Sequence, residues 1–305
     1  MSNPVVGFVG LGAMGQGQAR SLIRAGFEVR GFDIDSRALA AFVEAGGVAV
    51  SSPADAAKGA ALLFVLVFDA EQVESVLYGS EGAVATLPKG ATVVLHTTGT
   101  PEYAENLGGR LANTGHRLLD APVTGGKARA DAGTLTAIVS GTPGTLEAAR
   151  VALEAMASTV VVVGEKPGEA SVVKMASQLL VGVHTAAMGE ALTLAAHAGA
   201  NLEKLLEVVK SGVGNSFVFE NFARSVIERD FETKGAVEIL VKDLGIVSET
   251  ARTLGLSLPV ATAASSEYRA VATAGCGREN FTAVIKAVET AGRSDEAKDE
   301  RTYPG

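Results

Sequence analysis

Gly10, Gly12 and Gly15 spell GxGxxG, and Asp33 stands 18 residues beyond the last of them. Between a strand and a helix, each glycine has a separate physical task. The first permits a tight turn, the second lets backbone approach a pyrophosphate, and the third lets the helix pack closely on the strand. The backbone of Gly10, Leu11, Gly12, Ala13, Met14 and Gly15 then faces an anion at the positive end of the helix dipole. A carboxylate at position 33 accepts hydrogen bonds from both ribose hydroxyls and repels a 2′-phosphate, which favours NAD over NADP. The competing reading of Asp33 is a turn residue that caps the next helix, a task open to Asp35 or Ser36.

Ligands of open α/β sheets lie beyond the carboxyl ends of the strands. Those ends carry Val67, Phe68 and Asp69, then Thr97 and Thr98, then "DAPVTGG" at 120–126. Val67, Phe68, Thr97 and Thr98 are read as cofactor contacts. Thr124, Gly125 and Gly126 present a hydroxyl and unhindered amides together, a way to hold a carboxylate without adding charge. The plain alternative is a glycine turn with no ligand.

Lys174 lies within "ASVVKMASQLL", a helix-forming stretch that is apolar on nearly every side. An ammonium is costly to bury, so it snorkels to water, finds a partner or changes its pKa. Lys174, Ser177, Gln178, Val181, His184 and Thr185 share one helical stripe, and all but Val181 are polar. Such a stripe is expected to line a cleft, the natural one being between two domains. A partly desolvated lysine there serves as general acid or base near neutral pH. Gln178 and Ser177 are read as substrate contacts, with Gln178 orienting the lysine or holding a hydroxyl. His184 is read as a satisfied core histidine.

The elements that must position these groups follow from periodicity. Strands are expected at "VVGFVG", "FEVRGFD", "ALLFVLVF", "ATVVLHTT", "HRLLDAP", "LTAIVSG" and "TVVVVG", alternating with helices such as 13–25, 38–45 and 101–112. That alternation is the signature of a mostly parallel sheet covered by helices. "EKPGEAS" marks a boundary, and beyond it a helix over about 169–198 is apolar nearly all round, hence expected to be buried. The fold class predicted is α/β: a Rossmann-type doubly wound sheet over 1–164, then an all-α domain over 165–305, joined by that long helix.

Composition narrows the function classes. The chain has 305 residues, 47% of them hydrophobic, and a net charge of −8, which argues against nucleic-acid or anionic-membrane partners. Cys276 is the single cysteine, and the four histidines show no metal-ligand spacing, so no metal is expected. The N-terminus reads without a signal peptide, no segment reads as a bilayer span, and "AGRSDEAKDERTYPG" reads as a solvated tail. A cytoplasmic location is expected.

"FVGLGAMG", "DAPVTGG", "EASVVKMASQ" and "LVKDLG", in this order over essentially the whole chain, resemble the β-hydroxyacid dehydrogenases, the 3-hydroxyisobutyrate and tartronate semialdehyde reductase group. Within that family "QLLVGVHTAAMGEALTLAAHAG" and "GNSFVFEN" look most like the L-threonate dehydrogenases. The resemblance implies NAD(P)-dependent oxidation of a hydroxyl in a short hydroxy acid, with Lys174 as catalytic acid/base. It also implies that Thr124, Gly125 and Gly126 bind the substrate carboxylate, that Lys242 closes on the cofactor, and that the chain forms a homodimer or homotetramer. The family often has asparagine where Ser177 and Gln178 stand. Related 6-phosphogluconate dehydrogenases carry a glutamate seven residues after the lysine; Val181 holds that place here, which implies oxidation without decarboxylation. The rival readings are reduction of a small semialdehyde by the same residues, and a non-catalytic dinucleotide sensor, for which no basic surface or added module is visible.

Overall fold

The computed structural model describes residues 4–232 and 235–290; the tail from Ala291 lies outside the described residues. Two compact units divide the chain, Met1–Met175 and Ala176–Gly305.

In the first unit the strands are β1 (Val6–Val9), β2 (Val29–Phe32), β3 (Val48–Ala49), β4 (Leu62–Val65), β5 (Thr92–Leu95), β6 (Arg117–Asp120), β7 (Val123–Thr124), β8 (Leu135–Ser140) and β9 (Ala157–Gly164). β3, β2, β1, β4, β5 and β6 run parallel in that order, the doubly wound order 3-2-1-4-5-6. β8 then joins antiparallel to β6 and β7 and parallel to β9. The predicted strands are all present. β3 and β7, two residues each, are additions too short for a two-residue period to reveal.

Alternation along the strands builds two cores. Leu62 and Phe64 of β4 face one cluster with Phe8 and Val94, while Leu63 and Val65 face another with Val9, Val93 and Leu95. Both faces are covered, so β1, β4 and β5 are buried throughout. The covering helices are α1 (Gly15–Arg24), α2 (Ser36–Glu44), α3 (Pro53–Ala57), α4 (Ala70–Tyr78), α5 (Pro101–Asn113), α6 (Gly126–Ala132) and α7 (Pro143–Met156). Asp35, Ser52, Asp69, Thr100 and Thr142 each accept a first-turn N–H at the starts of α2, α3, α4, α5 and α7. These caps end the turns that follow the strands.

α8 (Glu169–His197) runs 29 residues. The second unit continues with α9 (Leu202–Ser211), α10 (Phe217–Ile227), α11 (Val237–Thr253) and α12 (Pro259–Val271). Gly182 lets α8 approach Leu244 of α11, since a Cβ there would stand 3.0 Å from Leu244 Cδ1. Tyr268, Val237, Leu240 and Leu244 fill one cluster, and Met188, Leu192, Leu206 and Phe219 another.

Three expectations about α8 are corrected. It is not buried all round: Leu180 is 52% and Leu194 73% exposed, because apolar character on every face does not say which faces find a partner within the chain. His184 is exposed and is not a core histidine. By length and composition the helix is also apolar enough to cross a membrane, with a mean hydropathy of 1.4 over a window that is 33% buried. Core helices meet the same criterion, and this one packs Lys174, Gln178 and Thr185 inward.

Candidate active site

The glycine turn is built by backbone contact. Gly10 has φ +97°, and a Cβ on it would lie 2.0 Å from the Leu66 carbonyl oxygen. A Cβ on Gly15 would lie 2.0 Å from the Gly10 carbonyl oxygen, so the first turn of α1 sits directly against the end of β1. Gly12 differs, because nothing lies within 4 Å of where its Cβ would be. Its missing side chain leaves open space at the surface of the turn, as a bound diphosphate requires. Met14 supplies no side-chain cap to α1, so the positive end of the helix is left to a ligand. These residues fit a dinucleotide.

Asp33 follows β2 and is half-buried. Its Oδ2 accepts the Leu11 N–H at 2.6 Å and its Oδ1 the Asp35 N–H at 2.8 Å. Asp35 caps α2, so Asp33 is not the helix cap. It braces the glycine turn from below, and its remaining lone pairs can still receive ribose hydroxyls.

At the next strand ends, Thr97 bridges two elements. Its hydroxyl accepts the Val67 N–H at 2.9 Å and reaches the Val65 carbonyl at 3.4 Å. Thr97 is therefore buried and holds the chain where it leaves β4, while Phe68 is 41% exposed and Thr98 is half-buried. Thr124 ends β7, Gly125 has φ +134° and Gly126 has φ +72°, a conformation that favours glycine at both places. Gly125 caps α6 without a side chain, so its amides are presented bare.

Lys174 is 7% exposed on α8. One turn on, in the second unit, Gln178 is 8% exposed and donates through Nε2 to Asp243 Oδ2 at 2.5 Å. Lys242 Nζ stands 2.8 Å from Asp243 Oδ1. Asp243, 2% exposed on α11, thus holds two of the expected site residues at once. An aspartate can only accept when ionised, so it fixes which end of the Gln178 amide is the donor. Ser177 is half-buried.

Three buried polar residues were not singled out by sequence. Asp243 sits inside the "KDLG" motif, beside the lysine that drew notice. Asp120 opens "DAPVTGG" and is fully buried, its carboxyl pushed up by burial. His96, at the end of β5, sends Nδ1 to the Ala121 carbonyl and packs against the Phe64 ring at 5.2 Å. Burial holds its pKa down to about 4, so it is neutral. Among the described residues no cluster of three or more His, Cys, Asp or Glu side chains suited to a metal ion occurs.

Residues 5–164 match the family described as the NAD binding domain of 6-phosphogluconate dehydrogenase. Residues 168–288 match the NAD-binding family of NADP-dependent 3-hydroxyisobutyrate dehydrogenase. The chain is 42% identical to the L-threonate dehydrogenase of Cupriavidus necator, over 92% of this chain and 95% of that one. It is likewise 42% identical to the L-threonate dehydrogenase of Escherichia coli K12, over 92% and 93%. The crystal structure of 3-hydroxyisobutyrate dehydrogenase from Salmonella typhimurium superposes with a TM-score of 0.87 at 38% identity, covering 93% of this chain and 99% of that one. The non-catalytic reading falls with these matches. The chain belongs to the β-hydroxyacid dehydrogenase family, in its 3-hydroxyisobutyrate dehydrogenase-like group, and is an NAD-dependent hydroxyacid dehydrogenase.

Proposed function

We propose that the substrate is a four-carbon sugar acid, L-threonate, oxidised at its C2 hydroxyl to the 2-oxo acid without decarboxylation. The observation that carries the mechanism is a lysine 7% exposed on an otherwise apolar helix, one turn ahead of an amide held by a buried carboxylate. The similarity to L-threonate dehydrogenases supports the choice of substrate.

In this reading neutral Lys174 takes the proton of the substrate hydroxyl as the C–H bond breaks. The nicotinamide, when bound, supplies the acceptor for the hydride at C4. Thr124 and the amides of Gly125 and Gly126 hold the acid group, and Gln178 orients the hydroxyl or the lysine. Ser177 is read as a further substrate contact. Gly10, Leu11, Gly12, Ala13, Met14 and Gly15 hold the diphosphate, Asp33 the ribose, and Val67, Phe68, Thr97, Thr98 and Lys242 the rest of the dinucleotide. Val181 stands where the resemblance places the glutamate of decarboxylating enzymes, which supports oxidation without decarboxylation. Positioning and fixed donors supply the rate. We also infer a homodimer or homotetramer acting in the cytoplasm.

The test is turnover with NAD or NADP over L-threonate, 3-hydroxyisobutyrate, glycerate and 4-hydroxybutyrate. L-Threonate with NAD is expected to give the highest kcat/KM; a higher value for any of the others overturns the substrate. Lys174→Ala is expected to lower kcat by about 10²–10⁴, the usual worth of general acid/base catalysis, with NAD affinity kept. Near-normal turnover sinks the lysine assignment.

A further inference from the structure

Helix α8 begins in an unusual way. Most helices of the first unit are capped by the residue just before them. At α8 the N–H groups of Gly168 and Ser171 both donate to Oδ2 of Asp120, at 2.9 and 3.0 Å, from 48 and 51 residues away. The Ser171 hydroxyl adds contacts of 3.1 Å to both carboxylate oxygens. The Ala170 N–H donates to Ser140 Oγ at 2.9 Å, and that hydroxyl turns to Asp120 Oδ2 at 3.5 Å. Glu169 faces outward and accepts the Lys166 N–H. The sheet itself therefore caps the helix.

The charge needs a reason. A serine or asparagine caps a helix about as well as an aspartate. Asp120 is fully buried, and the groups seen to receive its carboxylate are the N–H groups of Gly168 and Ser171 and the hydroxyls of Ser171 and Ser140. What offsets a carboxylate there is the cluster of donors and the positive end of a 29-residue helix. Burial pushes its carboxyl up, and the hydrogen bonds from Gly168, Ser171 and Ser140 oppose that rise. The two carboxylate oxygens take two backbone donors and the Ser171 hydroxyl together, whereas an asparagine would turn its NH2 group toward one of these donors.

Two neighbours say what the grip serves. Ser171 and Lys174 are three residues apart, on one side of α8, and both are buried. Asp120 is also the last residue of β6, and the chain runs from it through Pro122 directly to Thr124, Gly125 and Gly126. We propose that Asp120 is a positioning residue for the dehydrogenase reaction, tying the first turn of α8 to the end of β6 and so fixing Lys174 in register with the Thr124–Gly126 turn. This rests on the reading of Lys174 as the acid/base.

The experiment is a double-mutant cycle on the full chain, with kcat and KM for L-threonate and a fluorescence titration of NAD. Asp120→Asn is expected to lower kcat about ten-fold or more while the Kd for NAD stays within about two-fold. In the Lys174→Ala background the same substitution is expected to change the residual rate less than about two-fold, because its route to the chemistry is already gone. An equal loss in both backgrounds, or an unchanged kcat in Asp120→Asn alone, overturns the proposal while leaving Lys174 in place. Near-normal turnover of Lys174→Ala by itself overturns the reading of Lys174 and this proposal with it. Should Asp120→Asn fail to fold, Ser171→Ala removes one donor and keeps the charge. It must then show the same dependence on background at a smaller size, and no effect on kcat overturns the proposal.

Discussion

The candidate site residues of the two units are held by different means. In residues 1–175 those at strand ends are received largely by backbone: Asp33 by two N–H groups, Thr97 by the chain leaving β4, Asp120 by the start of α8 with two hydroxyls added. In residues 176–305 the comparable site is made between side chains, Gln178 and Lys242 both held by Asp243. A site made of backbone fails when the backbone is obstructed. One made of side chains weakens when the partner they share is removed.

The largest effect tests the backbone half of that contrast. Gly10→Ala places a Cβ 2.0 Å from a carbonyl oxygen at φ +97°, and no folded NAD-binding protein is expected. Gly12→Ala meets nothing, so it is expected to keep its melting temperature and lose NAD affinity about ten-fold or more through the filled cradle. Thermal unfolding and NAD titration of the pair decide it; equal behaviour of the two variants breaks the assignment of separate tasks.

Next in size is Asp243→Ala, which removes the buried carboxylate shared by the Gln178 amide and the Lys242 ammonium. Removing one partner of such a buried pair costs about 3 kcal/mol. Denaturant unfolding is expected to show that loss, with Asp243→Asn falling between it and the parent because the Gln178 acceptor survives. An unchanged midpoint in the alanine variant would remove the side-chain half of the contrast.

The smallest effect gives the two units opposite responses to pH. Burial holds His96 down to about 4 from an ordinary value of 6.5. Its contribution is present above pH 6.5 and lost as pH falls through about 4. Glu267 on α12 is raised from 4.5 to about 7 by burial and by the neighbouring Glu190 carboxylate. Its contribution is present below pH 4.5 and lost as pH rises through about 7. Hydrogen exchange is expected to show residues 1–175 losing protection on acidification, and α12 and the stretch of α8 around Glu190 losing it on the way to pH 8. Glu267→Gln should abolish the second trend, and a shared direction in both units would break the contrast.

The same difference governs how much could be read from sequence. The GxGxxG turn, Asp33 and the turn at 124–126 are local patterns, and local patterns carry their geometry with them. Lys174 and Gln178 were found because a helix repeats its faces. Asp120 and Asp243 act through partners 48 to 65 residues away, and no spacing rule spans such a gap. Both stood inside motifs whose neighbours attracted notice. His96 closes an ordinary strand, and its burial comes from Phe64 and Ala121 on flanking strands. For α8, hydrophobicity told of length and helical form, while the exposure of Leu194 and His184 depends on what packs where.

The hydrogen bond from Leu11 to Asp33 bears on cofactor engineering. A designer seeking an NADP-dependent variant would first replace the acid proposed to meet the ribose, Asp33. That acid is also the strut under the glycine turn, so a change chosen for its charge alone loosens the turn whichever cofactor is used. A workable exchange has to divide the two duties, with a neutral acceptor such as that of Asp33→Asn to keep the strut and a separate cation nearby to receive the added phosphate.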